Sequence, residues 1–303
     1  MKIYQFQIFT TVVKVKSFSK AASLLYLSQP AVSKHIKSME EYYGTRLFNR
    51  NNQGVSLTSA GQTVYDYAKN ILQTHEELEK EIDKHLNLEN SQLIVGSSVT
   101  PGDYLLPCTV WTFKDKHPKI DIKLQIGHTE DIIKKVLKEE VNIGIVEGEI
   151  PSETNLKPTT IMHDKLKFIA SPTEYEQDIF TIEELKDIPL ILLNEDFGIR
   201  QKFNQFLEIN EIDINSLNIV AEMGSITAIK SAVESGLGVS IASHSAIKKE
   251  VYQDLLKVIN MQNKFKDRLT IEFKLIHQNQ TDQPNIITRF TKFLNIQNEH
   301  IFC

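Results

Sequence analysis

SFSKAASLLYLSQPAVSKHIKSMEEYYGTRLF, residues 17–48, reads as two short amphipathic helices joined by a turn. Ser17 precedes the first helix and Ser28 the second, and both are residue types whose hydroxyl accepts a first-turn N–H. Pro30 falls inside the first turn of the second helix, where its missing N–H costs nothing. Over residues 29–42 the helical spacing turns Val32, Ile36 and Met39 inward and Ser33, Lys34 and Lys37 outward. Ala21 and Ala22 let the two helices pack closely. The outward set suits duplex DNA: Gln29 can bond a base edge in the major groove, Ser33 allows close approach, and Lys34 and Lys37 can neutralise phosphates. On spacing alone, a two-helix corner of some larger α protein remains open.

Charge sharpens the choice. Residues 1–57 hold eight Lys or Arg against Glu40 and Glu41, a net +6, so the rest of this −5 chain carries −11. A basic module on an acidic body is the expected footprint of DNA binding by one part of the chain. After Arg50, NNQGVSL reads as a hairpin with Gly54 at its turn. From Thr58 the pattern becomes one long polar helix of about 29 residues, roughly 43 Å at 1.5 Å each, with Val64, Ala68, Ile71, Leu72, Leu78 and Ile82 recurring at three to four residues. Ala68, Ile71, Leu72, Leu78 and Ile82 are the expected seam for a partner helix.

Beyond Ser91 strands and helices alternate. LIVGSSV, IDIKLQIG and VNIGIVEG read as strands separated by helices from Asp103 to Lys116 and from Thr129 to Glu139. KLKFIAS, PLILLN and GVSIAS continue the series, with helices near Gly198 to Glu208, Ser225 to Ser235 and Ser245 to Lys249. DRLTIEFKLIHQ and a helix from Pro284 to Ile296 close the chain. This is an α/β body in which parallel sheet is expected. At 303 residues the chain has room for two to three domains. MKIYQFQIF carries no secretory pattern and no stretch approaches a spanning helix, so the reading is cytoplasmic, with no membrane partner.

The segment from Phe6 to Arg50, with its first helix, SFS-AA, SQPAVS-I and E---G--LF-R, resembles the N-terminal domain of LysR-type transcriptional regulators. The resemblance implies a winged helix-turn-helix whose DNA contacts carry over to Ser28, Gln29, Pro30, Ser33 and Lys34, and to Arg50 in the wing. Lys34 stands where many members have Arg; it keeps the charge and loses the bidentate fork. The long helix would pair with its copy in a homodimer or homotetramer, and RNA polymerase is left open as a further partner. The body resembles the CysL-like and CbbR-like branch through GSSVTPGDYLLP (residues 96–107), GHTEDI with IGIVEG (127–148), and GSITAIKSAVESGLGVSIAS (224–243). It departs at NEDFGIRQ, residues 194–201, where that branch has a Gly-Ser-Gly-Thr-Arg loop and only Gly198 and Arg200 survive.

The resemblance therefore implies a winged helix-turn-helix over residues 1–57, a linker helix and hinge over 58–90, and a two-lobed α/β sensor of periplasmic-binding-protein type over 91–303. Lobe I would take 91–162 and 267–303, and lobe II 163–266. A small, anionic effector is expected where strands end and helices begin. The candidates are Ser98 and Thr100 before one helix, His128 and Thr129 before a second, Ser225 and Thr227 opening a third, and Gly198 with Arg200 as a counter-charge. Each hydroxyl taken singly reads first as an ordinary N-cap, and it is their convergence that points to an anion pocket.

No catalytic residue, metal site or cofactor is expected. The GLG of Gly236 to Gly238 follows a helix and precedes a strand, the reverse of a dinucleotide fingerprint, and GxSxG, HExxH and P-loop patterns are absent. Cys108 and Cys303 form no CxxC grouping; Cys108 is expected to be a buried small hydrophobe. The alternatives are a binding protein of periplasmic type without DNA function, against which the basic head argues, and a redox-sensing regulator, which would need a reactive cysteine pair.

Overall fold

The structure is a computed structural model that describes residues 1–303 apart from 26, 52, 53, 87, 89, 90, 153, 182, 262–268, 279–284 and 297–303, and apart from the side chains of 23, 50, 51, 54, 295 and 296. The chain divides into two compact units. The first holds Met1–Ser91 with Trp111–Asp121, and the second holds Gln92–Val110 with Ile122–Asn295.

In the first unit, α1 (Ile3–Val15), α2 (Phe18–Leu24) and α3 (Gln29–Tyr43) enclose a core of Ile8, Phe9 and Val12 from α1, Ala21 and Ala22 from α2, and Val32, Ile36 and Met39 from α3. The Ser28 hydroxyl accepts from Ala31 N at 3.3 Å and starts α3. Gly44, with φ 66°, ends it, its N–H meeting the carbonyls of Glu40 and Glu41. The antiparallel hairpin of β1 (Phe48–Asn51) and β2 (Gly54–Leu57) follows. Its base is fixed by Glu40, whose Oε1 accepts from Leu47 N at 2.8 Å and Phe48 N at 3.3 Å. The Phe48 ring lies 5.1 Å from that of Phe9 and 5.7 Å from that of Phe18, so the hairpin is anchored in the three-helix core.

α4 (Ser59–His85) is 27 residues, about 40 Å at 1.5 Å each. The Thr58 hydroxyl donates to Arg46 O at 2.7 Å and accepts from Gly61 N at 2.9 Å, which ties the helix start to the chain entering the hairpin. Ala68 is buried and Leu72 packs on the head core, so both face inward rather than along the expected seam. The exposed apolar residues of α4 are Tyr67, Ile71, Leu78 and Ile82. Their 4-7-4 spacing follows the heptad period of one helix face.

In the second unit β3 (Gln92–Ser98), β4 (Asp121–Gly127) and β5 (Ile143–Glu147) form one side of a mixed sheet ordered β4-β3-β5-β12-β6-β11-β7. The remaining strands of that order are β6 (Thr159–Ala170), β7 (Ile179–Phe180), β11 (Lys257–Met261) and β12 (Thr270–Ile276). β3 runs parallel to β5, whereas β12 is antiparallel to both β5 and β6. The 12-residue β6 does two jobs. Thr159–Lys165 pairs with β12 on the first lobe, and Leu166–Ala170 pairs with β10 (Ser240–Ser243) and β11 on the second. β8 (Leu190–Leu193) and β9 (Ile219–Met223) are a parallel pair joined to the second lobe through the Leu190 to Val239 bridge.

The covering helices are α5 (Val99–Tyr104) and α7 (Thr129–Leu137) on the first lobe and α8 (Gly198–Ile209), α9 (Ile226–Glu234) and α10 (His244–Tyr252) on the second; α6 (Leu106–Lys116) is divided between the two units, and α11 (Asn285–Ile296) ends the described helices. Ile132, Ile133 and Val136 of α7 pack with Val141, Val146 and Ile276, and the rings of Phe168, Phe180, Phe203 and Phe206 fill the second lobe.

Three expectations are corrected. The sheet is mixed rather than parallel, because β12 runs antiparallel to β5 and β6, and β10 and β11 run antiparallel to β6. The helix expected from Asp103 starts at Val99 and breaks at Leu105, so α5 and α6 are separate. Cys108 is half-buried and its sulfur is disulfide-bonded, not a buried free thiol; Cys303 lies outside the described residues. Among the described residues no helix is long and apolar enough to cross a membrane, and no group of His, Cys, Asp and Glu could hold a metal ion.

Gly61 is a tight joint in the first unit, since a Cβ there would stand 2.0 Å from the Leu47 carbonyl oxygen. Gly61→Ala is expected to destabilise the head by about 1–3 kcal/mol despite the better helix propensity of alanine, because backbone rather than a flexible side chain must move. Urea denaturation followed by circular dichroism checks this; a variant as stable as the parent would show that the joint is slack.

Candidate DNA interface and ligand cleft

One face of α3 is closed and the other is open. Val32, Ile36 and Met39 are fully excluded from solvent, while Gln29, Pro30, Lys34 and Lys37 are exposed and Ser33 is half-buried. Gln29 Nε2 donates to Ser33 Oγ at 3.0 Å, which holds the amide over the first turn of the helix. Lys37 Nζ lies 3.7 Å from Glu41, but both side chains are largely exposed and such an i,i+4 pair holds little. Lys34 and Lys37 thus present cations on the face that also carries a planar amide and a hydroxyl. That combination can bind phosphates and hydrogen-bond base edges. Ser28 is exposed, but its hydroxyl is engaged as the cap of α3. The Arg50 side chain lies outside the described residues; its backbone pairs with Val55 in the hairpin.

In the second unit the candidate effector residues divide by burial. Ser98 and Thr100 are buried, His128 and Thr129 half-buried, and Ser225 and Thr227 exposed. Three of these groups converge on Glu147, the last residue of β5. Its N–H donates to Ser98 Oγ at 3.2 Å, its carbonyl accepts from Thr129 Oγ1 at 2.9 Å, and its Oε1 accepts from Thr100 Oγ1 at 3.0 Å. Gly198 opens α8 from the second lobe so close by that a Cβ on it would stand 2.6 Å from Glu147 Cγ. Two further contacts cross here: His128 Nδ1 lies 3.1 Å from Asp196 Oδ2 with the ring edge-on to Phe197, and Gln205 Nε2 donates to Glu149 Oε1 at 2.8 Å.

Arg200 is brought near but turned away. It is 3% exposed, with Nη1 donating to Glu222 Oε1 at 2.6 Å and to Leu193 O at 2.8 Å, and Nε donating to Asn204 Oδ1 at 3.0 Å. Its charge is matched inside the protein, so the expected role as a free counter-charge does not fit its placement. Ser225 caps α9 by accepting from Ala228 N at 3.4 Å.

Glu147 is not among the site residues expected from sequence. A signal was present, since IGIVE is an unbroken apolar strand ending in a carboxylate, and all five of its residues are buried. Burial pushes that carboxyl up to about 7, the Thr100 hydrogen bond pulls it back, and the nearby Asp164 charge adds to the rise.

A basic three-helix head with a β-hairpin wing, joined through a long helix to a two-lobed α/β body, defines a DNA-binding regulator with a ligand-sensing domain. Residues 3–62 match the bacterial regulatory helix-turn-helix protein, lysR family, and residues 87–297 match the LysR substrate binding domain. The chain belongs to the LysR family of DNA-binding transcriptional regulators. It is 36% identical over 303 residues to a probable RuBisCO transcriptional regulator of Cyanidium caldarium, covering 99% of this chain and 91% of the relative. A probable RuBisCO transcriptional regulator of Phaeodactylum tricornutum is 36% identical over 265 residues, 86% of each chain. These names agree with the CbbR-like resemblance. Among solved structures, full-length CbnR complexed with its target DNA has a TM-score of 0.58 at 18% identity, covering 98% of this chain and 100% of that one. CrgA of Neisseria meningitidis has a TM-score of 0.57 at 20% identity, covering 98% and 99%. At that identity they show the shared fold.

The Glu147 carboxyl makes a checkable contribution to stability. Its folded pKa lies above the ordinary 4.5, so the folded state holds the proton more tightly. Stability from this group is therefore fully present below about 4.5 and is lost as pH rises to about 7, a change of about 3 kcal/mol. Denaturation of the parent and Glu147→Gln across that window should show the variant gaining relative stability by that order as pH rises. Parallel profiles would contradict the assignment.

Proposed function

We propose that this regulator is a cytoplasmic, non-enzymatic homo-oligomer that recognises a specific operator through α3 and changes its grip on DNA when a small ligand binds between the lobes of its body. The functional divisions are the head at 1–57, the linker at 58–90 and the sensor at 91–303. Gln29 and Ser33 read base edges, Lys34, Lys37 and the wing Arg50 supply phosphate attraction, and Ser28 and Pro30 set the start of the reading helix.

The observation that carries this is the two-sidedness of α3: Val32, Ile36 and Met39 are sealed into the core while Gln29, Lys34 and Lys37 are open to solvent. The sensor site is the meeting of β3, β5, α7 and α8, where Ser98, Thr100, His128, Thr129 and Gly198 surround Glu147. Ser225 and Thr227 at the start of α9, with Arg200 as a positioning residue for the loop before α8, complete the neighbourhood. An anionic ligand is favoured by the helix starts that open here. Ligand binding that differs in strength between two lobe arrangements would shift their populations and so the disposition of paired heads.

Gln29→Ala is expected to relax sequence preference at one operator position at a cost of about 1–3 kcal/mol, while Lys37→Ala weakens binding to all duplexes alike and lowers the salt slope by about one unit. Fluorescence anisotropy with operator and scrambled duplexes over a salt series checks both. Equal losses on the two duplexes for Gln29→Ala would remove it from base reading.

The exposed face of Tyr67, Ile71, Leu78 and Ile82 on α4 is proposed as the dimer seam. Leu78→Asp would bury an unpaired charge there, and its mass by light scattering should fall toward that of one chain at concentrations where the parent is oligomeric. An unchanged mass would place the subunit contact elsewhere.

A further inference from the structure

Two unmet requirements lie side by side where α8 approaches β5. The first is the Glu147 carboxyl. Its Oε1 accepts from Thr100, but Oε2 is buried with no hydrogen-bond partner, and the residue is 1% exposed. The second is the start of α8, a 12-residue helix whose N-cap, Phe197, has no side chain that can accept a first-turn N–H. The two are adjacent, because the Cβ position of Gly198, first residue of α8, lies 2.6 Å from Glu147 Cγ. An ionised carboxylate only accepts hydrogen bonds, whereas a helix start only donates them and favours negative charge. A single ligand group meets both needs if it presents acceptor oxygens to the helix and a hydroxyl proton to the carboxylate.

We propose that this site takes an oxyanion that retains a proton, bound by the first-turn N–H groups of α8, and that Glu147 is the residue that selects it over a fully ionised oxyanion of the same shape. The inference rests on the reading that the ligand binds between the lobes, and it adds to that reading the chemistry of the bound group. Hydrogen phosphate carries such a proton at neutral pH and sulfate does not, although the two are nearly isosteric. Against hydrogen phosphate Glu147 accepts a hydrogen bond; against sulfate it sets one bare anion against another.

The surrounding charges do not relieve that repulsion. Asp164 on β6 adds negative charge, and the Arg200 guanidinium on α8 is held by Glu222. Lys274 on β12 donates to Gly148 O at 3.3 Å, and His128 at the start of α7 is opposite Asp196. Among the described residues no cation is paired with Glu147.

Selection should follow the ionisation of Glu147, because a protonated carboxyl can itself donate to sulfate. Calorimetric titration of the full chain with sodium phosphate and sodium sulfate at matched ionic strength tests this. At about pH 8 the parent should bind phosphate at least about tenfold more tightly than sulfate, and the ratio should narrow at about pH 6 as sulfate binding improves. Glu147→Gln offers both a donor and an acceptor without charge, so its ratio should fall to within about threefold at both pH values. Thermal unfolding of the variant confirms that it is folded.

Equal binding of the two anions by the parent at about pH 8, binding of neither, or a parent-like ratio in Glu147→Gln would each overturn the proposal. Gly198→Ala separates this from the wider reading. If both anions bind equally and both are lost in that variant, the ligand still belongs between the lobes and only the selectivity of Glu147 falls.

Discussion

The exclusion of Val32, Ile36 and Met39 from water is the constraint on which the DNA-binding head depends. Fully burying side chains of this size contributes about 1.5–3 kcal/mol each, and their i, i+4, i+7 spacing makes that burial possible in only one rotation of α3. The rotation fixes the opposite face, so Gln29, Lys34 and Lys37 are outside because the other three are inside. Neighbouring elements are then set from α3 itself. Glu40, on its last turn, receives the backbone N–H groups that begin the hairpin, and Thr58 and Gly61 hold the linker helix against the same stretch of chain. A reading helix, a wing and a linker are thereby held as one body.

The sensor works from a different constraint. One strand, β6, spans both of its lobes and changes partners part-way along its length. The contacts that cross between the lobes include polar ones, His128 with Asp196, Gln205 with Glu149 and Lys230 over the Tyr104 ring, beside the close approach of Gly198 to Glu147. Polar contacts of this kind are easily exchanged for contacts to a ligand, which gives the two-lobed body a means of settling into more than one arrangement.

The head was legible because its determinants are local. The Ser28 cap, the alternation of buried and exposed residues in α3 and the excess of Lys and Arg over acids all lie within fifty residues of one another. The α/β body was legible as a series of strands and helices, with its two-lobed form supplied by family resemblance. What was not legible depends on pairing across the chain. The length of β6 is set by partners more than sixty positions away, at Ser240–Ser243 and Thr270–Ile276, and the break at Leu105 interrupts a run that reads as one helix. The site shows the same division. Ser98, Thr100, Thr129 and Gly198 were recognisable as helix starts, but the carboxylate on which they converge and the Glu222 partner that withdraws Arg200 come from other segments. A hydroxyl at a strand end looks the same in sequence whether it awaits a ligand or already holds a neighbour.

The central claim is that the open face of α3, presented by paired chains, reads a specific duplex. Selection of bound sequences from a random duplex pool by the full-length protein, at near-physiological salt, tests it most directly. The account predicts enrichment of a partly palindromic site whose half-sites are separated by whole helical turns, as two symmetrically paired heads require. Retention of the pool without sequence enrichment would reduce α3 to a general phosphate binder and contradict the account.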